Sequence, residues 1–208
     1  IIENFKDLTL TDGAVGELKN AVLSLAVKGK LVEQDENDEP ASVLIERIKE
    51  EKDRLVKEKK IKKEKPLPEI GEDEIPYELP KGWDKCKLGS IAFITKLAGF
   101  EYTKYIKLKD EGEVPVLRAQ NIRMINLDKR NLKYIDYETS FNLSRSALTK
   151  KCLVMTFIGA GIGDVSLFDE DIRYHLAPNV AKIELYTQDI DEKYLLYYLI
   201  SPIGRREI

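Results

Sequence analysis

The chain has 208 residues, of which 43% are hydrophobic and 34% are charged, and a formal net charge of −3. This length holds one good-sized domain with an appendage or two small domains; the composition excludes a disordered tail, and no apolar run reaches the ~20 residues of a membrane span. Residues 1–10 lack the apolar segment of a secretory signal, and Cys86 and Cys152 form no CxxC pair, which disfavours a disulfide framework or zinc site and favours a cytoplasmic location.

Two amphipathic helices are predicted in the N-terminal third. Apolar positions that alternate three and four residues apart predict a helix over residues 12–28, with Asp12 as a candidate cap and Gly29 as its stop. A second helix is predicted over residues 40–60, because Pro40 is favoured in a first helical turn. The first helix either packs on its own domain or meets a partner subunit through its apolar stripe. That stripe consists of Val15, Leu18, Val22 and Leu25.

A proline-rich connector and a β-rich region follow. Four prolines in residues 66–82 forbid a continuous helix there. A last helix is expected from Asp191 across Ser201 and Pro202, and few helices are evident between connector and last helix. The chain therefore predicts an α+β fold with N-terminal helices, a mixed, mainly antiparallel β-rich domain and a C-terminal helix. The strands are predicted at residues 88–95, 114–117, 132–135, 152–158, 164–168 and 180–185.

The β-rich region is positively charged although the chain is acidic. Residues 1–80 carry 14 Lys and Arg against 20 Asp and Glu, whereas residues 85–151 carry 14 against 7. An excess of seven positive charges can neutralise phosphates even in an acidic protein. The alternative is that a chain with 34% charged residues produces such an imbalance by chance.

Two short segments of this basic region have side chains suited to nucleic acid. Residues 100–107 interleave aromatic and basic side chains, among them Tyr102, Lys104 and Lys107. This pattern suits contact with phosphates or aromatic packing; the alternative is an exposed strand or loop without such a role. Residues 118–123 follow an apolar strand and read Arg-Ala-Gln-Asn-Ile-Arg. Arg pairs with guanine and Asn or Gln with adenine through two hydrogen bonds each. The alternative is that these side chains only satisfy the end of the strand.

The run Gly159-Ala160-Gly161-Ile162-Gly163 invites comparison with a dinucleotide-binding loop. Such a loop requires a helix directly after it, but residues 164–168 alternate like a strand. We therefore predict a tight glycine turn between two strands, where the backbone can approach another strand or a phosphate.

Motifs for catalysis and metal binding are missing from the sequence. His175 is the only histidine, which excludes a multi-histidine metal site, and we interpret it as a hydrogen-bonded turn residue. The acidic run at residues 169–171 is interpreted as a solvated turn rather than a metal site. The sequence contains neither GxxxxGK[ST] nor the Asn/Asp-Pro-Pro-Tyr/Phe element of adenine methyltransferases.

Three sequence motifs occur in this order along the chain: GKLVEQDENDEPAS at residues 29–42, ELPKGW at residues 78–83 and KLGSI at residues 87–91. Together they resemble the DNA-specificity subunit of type I restriction-modification systems, over nearly the whole chain. The resemblance implies a partner-contacting helical region at residues 1–65, the connector at 66–82 and one target recognition domain at 83–208. A full specificity subunit has a second recognition domain, so this chain is expected to read half of a bipartite DNA site or to self-associate.

The resemblance also implies a non-catalytic protein, whose partners are double-stranded DNA, modification (methyltransferase) subunits and, through them, restriction subunits. S-adenosylmethionine, ATP and magnesium are expected on those partner subunits, and no cofactor or metal on this chain. The rival interpretations are a stand-alone nuclease or methyltransferase, and a scaffold that binds modification subunits without reading DNA. The stripe on the first helix is the expected partner contact. The expected DNA contacts are Tyr102, Lys104, Lys107, Arg118, Gln120, Asn121, Arg123, Gly159, Gly161, Arg173 and His175.

Overall fold

The fold is taken from a computed structural model, which describes residues 13–71, 74–75 and 77–208. No helix in these ranges is both long and apolar enough to cross a membrane. The described helices are α1 (Ala14–Val27), α2 (Ala41–Lys57), α3 (Leu88–Ile91), α4 (Gly99–Tyr105), α5 (Tyr137–Asn142) and α6 (Glu192–Ile200). The described strands are β1 (Ala92–Lys96), β2 (Val114–Leu117), β3 (Lys133–Ile135), β4 (Ala147–Leu148), β5 (Cys152–Thr156), β6 (Val165–Phe168), β7 (Tyr174–Leu176) and β8 (Val180–Leu185).

The strands form two four-stranded sheets. The first has the order β1-β8-β5-β6 and is antiparallel throughout. The second has the order β3-β2-β7-β4, in which β2 and β7 run parallel and the other pairs are antiparallel. The predicted α+β class, with a mixed, mainly antiparallel β-rich region between helices, is confirmed.

The first sheet lies between a layer of helices and the second sheet. Along β5, Leu153 packs in a cluster with residues of α6 and with Leu23 of α1. Its neighbours Cys152 and Val154 point the other way, into a cluster with Leu176 and other residues of the second sheet. Successive side chains of a strand point to opposite faces, so a strand buried on both faces is apolar at every position rather than at alternate ones.

The end of α1 is fixed by a glycine. Gly29 adopts φ +65°, and the amide of Lys30 donates to the Leu25 carbonyl at 2.8 Å, which closes the helix as predicted. A Cβ at Gly29 would lie 2.5 Å from a side-chain carbon of Pro80 and 3.0 Å from Trp83. Gly29 therefore also allows the connector to pack against the end of α1. The candidate cap Asp12 lies outside the described residues.

The second helix ends at Lys57 and β5 at Thr156, two to three residues before the predicted ends, and two other boundaries differ for reasons that the structure shows. The strand expected over residues 88–95 begins only at Ala92, because the amide and hydroxyl of Ser90 both donate to the Lys87 carbonyl and form the short helix α3. The last helix ends at Ile200 and does not continue across Pro202. Ser201 has φ −66° and ψ 159°, the extended conformation that a following proline favours.

Four short elements were not predicted at all, namely β4, β7, α4 and α5. Each has at most seven residues, too few for a periodic pattern to stand out. The most consequential of them is β7, because it contains His175, which we had interpreted as a turn residue. The strand is fully buried and pairs with β2 and β4.

Candidate nucleic-acid interface

A cleft of about 730 Å³ opens where the parallel strands β2 and β7 end. Because the two strands run in the same direction, the segments that follow them leave the same edge of the sheet. The amide of Ala177 donates to the carbonyl of Leu117 at 2.9 Å and holds the two exits side by side. The turn between β5 and β6 of the first sheet and helix α4 complete the walls. The lining residues are Tyr102, Arg118, Ala119, Gln120, Arg123, Ala160, Gly161, Asp164, Ala177, Pro178 and Asn179.

The first wall is the loop of residues 118–131, which Asn121 organises from inside. The Asn121 side chain is completely buried, and its oxygen accepts from the amide of Arg118 at 3.1 Å. Its nitrogen donates to the carbonyls of Asp128 at 2.9 Å and Arg130 at 3.2 Å. One buried side chain thus joins both ends of the loop.

Ser166 on β6 fixes the middle of the same loop. Its buried hydroxyl accepts from the amide of Arg123 at 3.3 Å and lies 2.6 Å from the carbonyl oxygen of Arg123 and 2.9 Å from that of Asn126. The amide of Ile125 donates to the Val165 carbonyl at 2.8 Å. The loop is therefore anchored to both sheets, and the backbone that presents its exposed side chains is fixed before any ligand arrives.

The second wall is the predicted glycine turn, which is confirmed as the connection between antiparallel strands β5 and β6. Gly159, Gly161 and Gly163 all have φ between 81° and 96°, a conformation that glycine adopts without strain. The guanidinium of Arg205, from the turn after α6, donates to the Ile162 carbonyl at 3.2 Å and supports the turn from behind. A strand follows the turn, so the arrangement differs from a dinucleotide-binding loop.

Helix α4 forms the third wall and presents Tyr102 to the cleft. The carboxylate of Glu101 accepts from the amide of Ala98 at 3.0 Å and forms an ion pair with Arg145 at 2.7 Å, which attaches the helix to the rest of the domain. Lys104 is exposed, and its ammonium lies 4.9 Å from the ring centre of Tyr105.

The free positive charge of residues 85–151 is concentrated near this cleft. Eight of its 14 basic residues form ion pairs, and one more, Lys85, reaches only backbone carbonyls. Within the described parts of the chain, Lys96, Lys104, Lys107, Arg118 and Arg123 form no ion pair. The two arginines line the cleft, and Lys104 lies on the helix that forms one wall. The ion-paired residues are Lys87, Lys109, Lys129, Arg130, Lys133, Arg145, Lys150 and Lys151.

The structure brings five of the eleven expected DNA contacts into the cleft: Tyr102, Arg118, Gln120, Arg123 and Gly161. Lys104, Lys107 and Gly159 are exposed but do not line it. The remaining three have other roles, described next.

Asn121 and His175 are both completely buried, so neither side chain can reach a base edge in this conformation. The His175 ring nitrogens lie 3.0 Å and 3.3 Å from the carbonyl oxygens of Leu176 and Leu143, and burial lowers the pKa of the imidazole. Arg173 precedes β7 and thus lies at the end of the sheet opposite the cleft, where its guanidinium donates to the hydroxyl and carbonyl of Ser140. In the described structure all three hold the fold and none lines the cleft; their contact with DNA stays a prediction.

Sequence reasoning missed three polar or turn residues of the cleft: Asp164, Pro178 and Asn179. The signal that would have found the last two was strand β7. Once β7 is placed parallel to β2, the residues after it must lie beside residues 118–123.

The apolar stripe of α1 is largely exposed. Leu23 and Val27, on another face, are the buried residues of the helix. Val15, Val22 and Leu25 are 63%, 40% and 43% exposed, and Leu18 is half-buried. Packing within the described chain therefore does not account for the stripe.

Comparisons with known proteins identify the family of this chain. A family model described as Type I restriction modification DNA specificity domain matches residues 80–204. The EcoAI type I specificity subunit of Escherichia coli is 36% identical over 209 residues, which cover 97% of this chain and 34% of that protein. The EcoEI specificity subunit of Escherichia coli is 54% identical over 91 residues, which cover 44% of this chain and 15% of that protein. The chain thus spans about a third of the EcoAI subunit and less of the EcoEI subunit.

A solved structure described as "Structural basis underlying complex assembly and conformational transition of the type I R-M system" aligns with 91% of this chain and 40% of its own chain. The TM-score is 0.42 and the identity 15%, too low to support a conclusion about shared architecture. The family model alone matches more than half of the chain, and its matched segment contains the whole cleft. On this ground the chain belongs to the family of type I restriction-modification DNA specificity domains.

Proposed function

We propose that this chain reads one half of a bipartite sequence in double-stranded DNA through the cleft. The main support is that the cleft brings together, on a rigid scaffold, two arginines that form no ion pair among the described residues and the exposed side-chain amide of Gln120. Arg118 and Arg123 suit phosphates or guanine, and Gln120 suits adenine. Such a mixture is what a sequence-specific interface requires, since phosphate contacts position the protein and base contacts discriminate.

The proposed setting is the one that the names of the two Escherichia coli relatives suggest, a specificity subunit of a type I restriction enzyme. In that setting the chain is not catalytic and works in the cytoplasm. It presents DNA to modification subunits and, through them, to restriction subunits. These partners hold S-adenosylmethionine, ATP and magnesium.

Binding to duplex DNA should weaken steeply with salt, because log K falls by ~0.9 for each phosphate neutralised. Lys104→Ala should weaken binding to all sequences alike and lower the salt slope by about one. The matched control is Lys109→Ala, since Lys109 is already paired with Asp136 at 2.6 Å. Fluorescence anisotropy across a salt series measures both quantities. An affinity that does not change between low and physiological salt would contradict the proposal.

Arg123→Ala should relax the preference at one target position, where a good paired contact is worth about 1–3 kcal/mol against the wrong base. Its side chain is exposed in the cleft, and among the described residues the guanidinium donates only to the Ile122 carbonyl, at 3.1 Å. Selection from randomised half-sites, with the wild-type and variant chains in parallel, measures the preference. An unchanged preference at every position would remove Arg123 from the reading surface.

An enzyme is the main rival, either a stand-alone nuclease or a methyltransferase. Purified chain incubated with duplex DNA and magnesium, or with S-adenosylmethionine, distinguishes it from a reading subunit. Cleavage or methyl transfer by the chain alone would refute the proposal. A non-reading scaffold is the other rival, and DNA binding that is independent of sequence would support it.

The exposed stripe of α1 is the proposed contact with a partner subunit or a second copy. Leu25→Glu should abolish that association and leave the domain folded, because Leu25 is 43% exposed. Leu23→Glu is the matched control, since Leu23 is buried against Leu195 and Leu199 and its replacement should destabilise the fold itself. Size-exclusion chromatography and circular dichroism separate the two results. Normal association of the Leu25→Glu variant would exclude the stripe as an interface.

A further inference from the structure

An acidic side chain stands in the wall of a cleft that is otherwise positively charged. Asp164, immediately before β6, lines the cleft together with Arg118 and Arg123. Its side chain is 20% exposed, and the nearest cation, Arg205, lies 4.0 Å away at the outer limit of an ion pair. A carboxylate repels phosphate oxygens. A surface that only holds the DNA backbone therefore gains nothing from Asp164.

Two amides in the same cleft have free hydrogen-bonding groups. Among the described residues, the side chains of Gln120 and Asn179 make no hydrogen bond, in contrast to Asn121, whose amide is fully used inside its loop. The backbone of Asn179 is held firmly, since its carbonyl accepts from the amide of Phe157 at 3.2 Å. Asn179 thus offers a donor and an acceptor to the cleft from a fixed position.

We propose that Asp164 and Asn179 read base edges in the major groove, Asp164 selecting cytosine and Asn179 selecting adenine. This assignment rests on the proposed function and names the bases that the cleft takes. A carboxylate only accepts hydrogen bonds, and cytosine N4 is a donor in the major groove. Adenine N6 is also a donor, but the acceptor N7 beside it repels a carboxylate. An asparagine amide has the complementary donor and acceptor for N6 and N7 of adenine.

The experiment is selection from randomised duplexes with the wild-type chain, Asp164→Asn and Asn179→Ala. Asp164→Asn should lose a preference for cytosine at one position by about fivefold or more and keep the other positions. Its overall affinity should stay equal or rise, since a negative charge is removed. Asn179→Ala should lose an adenine preference at a different position. Asp169→Asn is the control, because Asp169 is an exposed acid that does not line the cleft.

A structural role for Asp164 gives a different pattern. Arg205 donates to the glycine turn and lies 4.0 Å from Asp164, so a role of Asp164 in the shape of the turn predicts that Arg205→Gln reproduces the change in preference. That result, or an Asp164→Asn variant with the wild-type preference, overturns the assignment while the wild-type chain still selects a sequence. A wild-type chain that selects no sequence overturns the proposed function itself.

Discussion

Lys182→Ala should lower the free energy of unfolding by about 3 kcal/mol, because it breaks a largely buried ion pair on β8 and the hydrogen bond that joins this strand to the second sheet. Lys182, on β8 of the first sheet, is 6% exposed; its ammonium pairs with Glu184 at 3.0 Å and donates to the Ala147 carbonyl on β4 of the second sheet at 3.0 Å. The replacement leaves the buried Ala147 carbonyl and the Glu184 carboxylate, which is 12% exposed, without this partner. Lys150, 3.7 Å from Glu184, compensates only in part.

Urea unfolding followed by circular dichroism measures the loss. Replacing both partners, Lys182→Met with Glu184→Leu, should recover most of it, since two apolar side chains leave no buried charge without a partner. Lys193→Ala, at an exposed lysine of α6, is the control and should change stability by less than about 0.5 kcal/mol. If the single Lys182→Ala variant unfolds like the wild type, Lys182 does not hold the sheets together.

Asn121→Ala should lower the free energy of unfolding by about 2–3 kcal/mol, because one amide and two carbonyls inside the loop of residues 118–131 lose their partner. The neighbouring replacement Gln120→Ala should change stability by less than about 0.5 kcal/mol, because Gln120 is exposed. In DNA selection the two variants should also differ. Gln120→Ala should relax one target position, whereas Asn121→Ala should blur all positions that the loop reads.

The same urea series and half-site selection test both variants. Equal stability of the two variants would mean that the buried amide contributes nothing to the loop. A single relaxed position in Asn121→Ala, without loss of stability, would restore this residue as a base contact and remove its structural role.

Local sequence patterns were sufficient to predict those helices and strands that carry their own periodic spacing of apolar residues. The spacing of apolar residues predicted a helix over residues 12–28, and α1 spans Ala14–Val27. The alternation after Gly163 predicted a strand and excluded a cofactor loop, as β6 confirms. The prediction of α+β class followed from such elements.

Local patterns could not predict which distant strands pair, or which polar side chains are already hydrogen-bonded within the chain. Strand β7 has three residues, and only its pairing with β2 and β4 makes it a strand. Residue type also does not distinguish an amide that reads a base from one that is used inside its own loop, which is why Gln120 and Asn121 were treated alike. Arg173 was misplaced for the first reason, because the direction of β7 determines which end of the sheet it occupies.

The parallel pairing of β2 with β7 has a consequence for how the chain acquires its binding surface. Val116 pairs with His175, about 60 residues later, and bringing such distant segments together is entropically costly and slow. A growing polypeptide therefore completes α1, α2 and the β5–β6 hairpin before the two exits of the cleft meet. Until β7 is in place the chain has its basic residues but not the arrangement of them at the cleft, so the proposed selectivity for sequence would be acquired late in folding, after non-selective attraction to DNA.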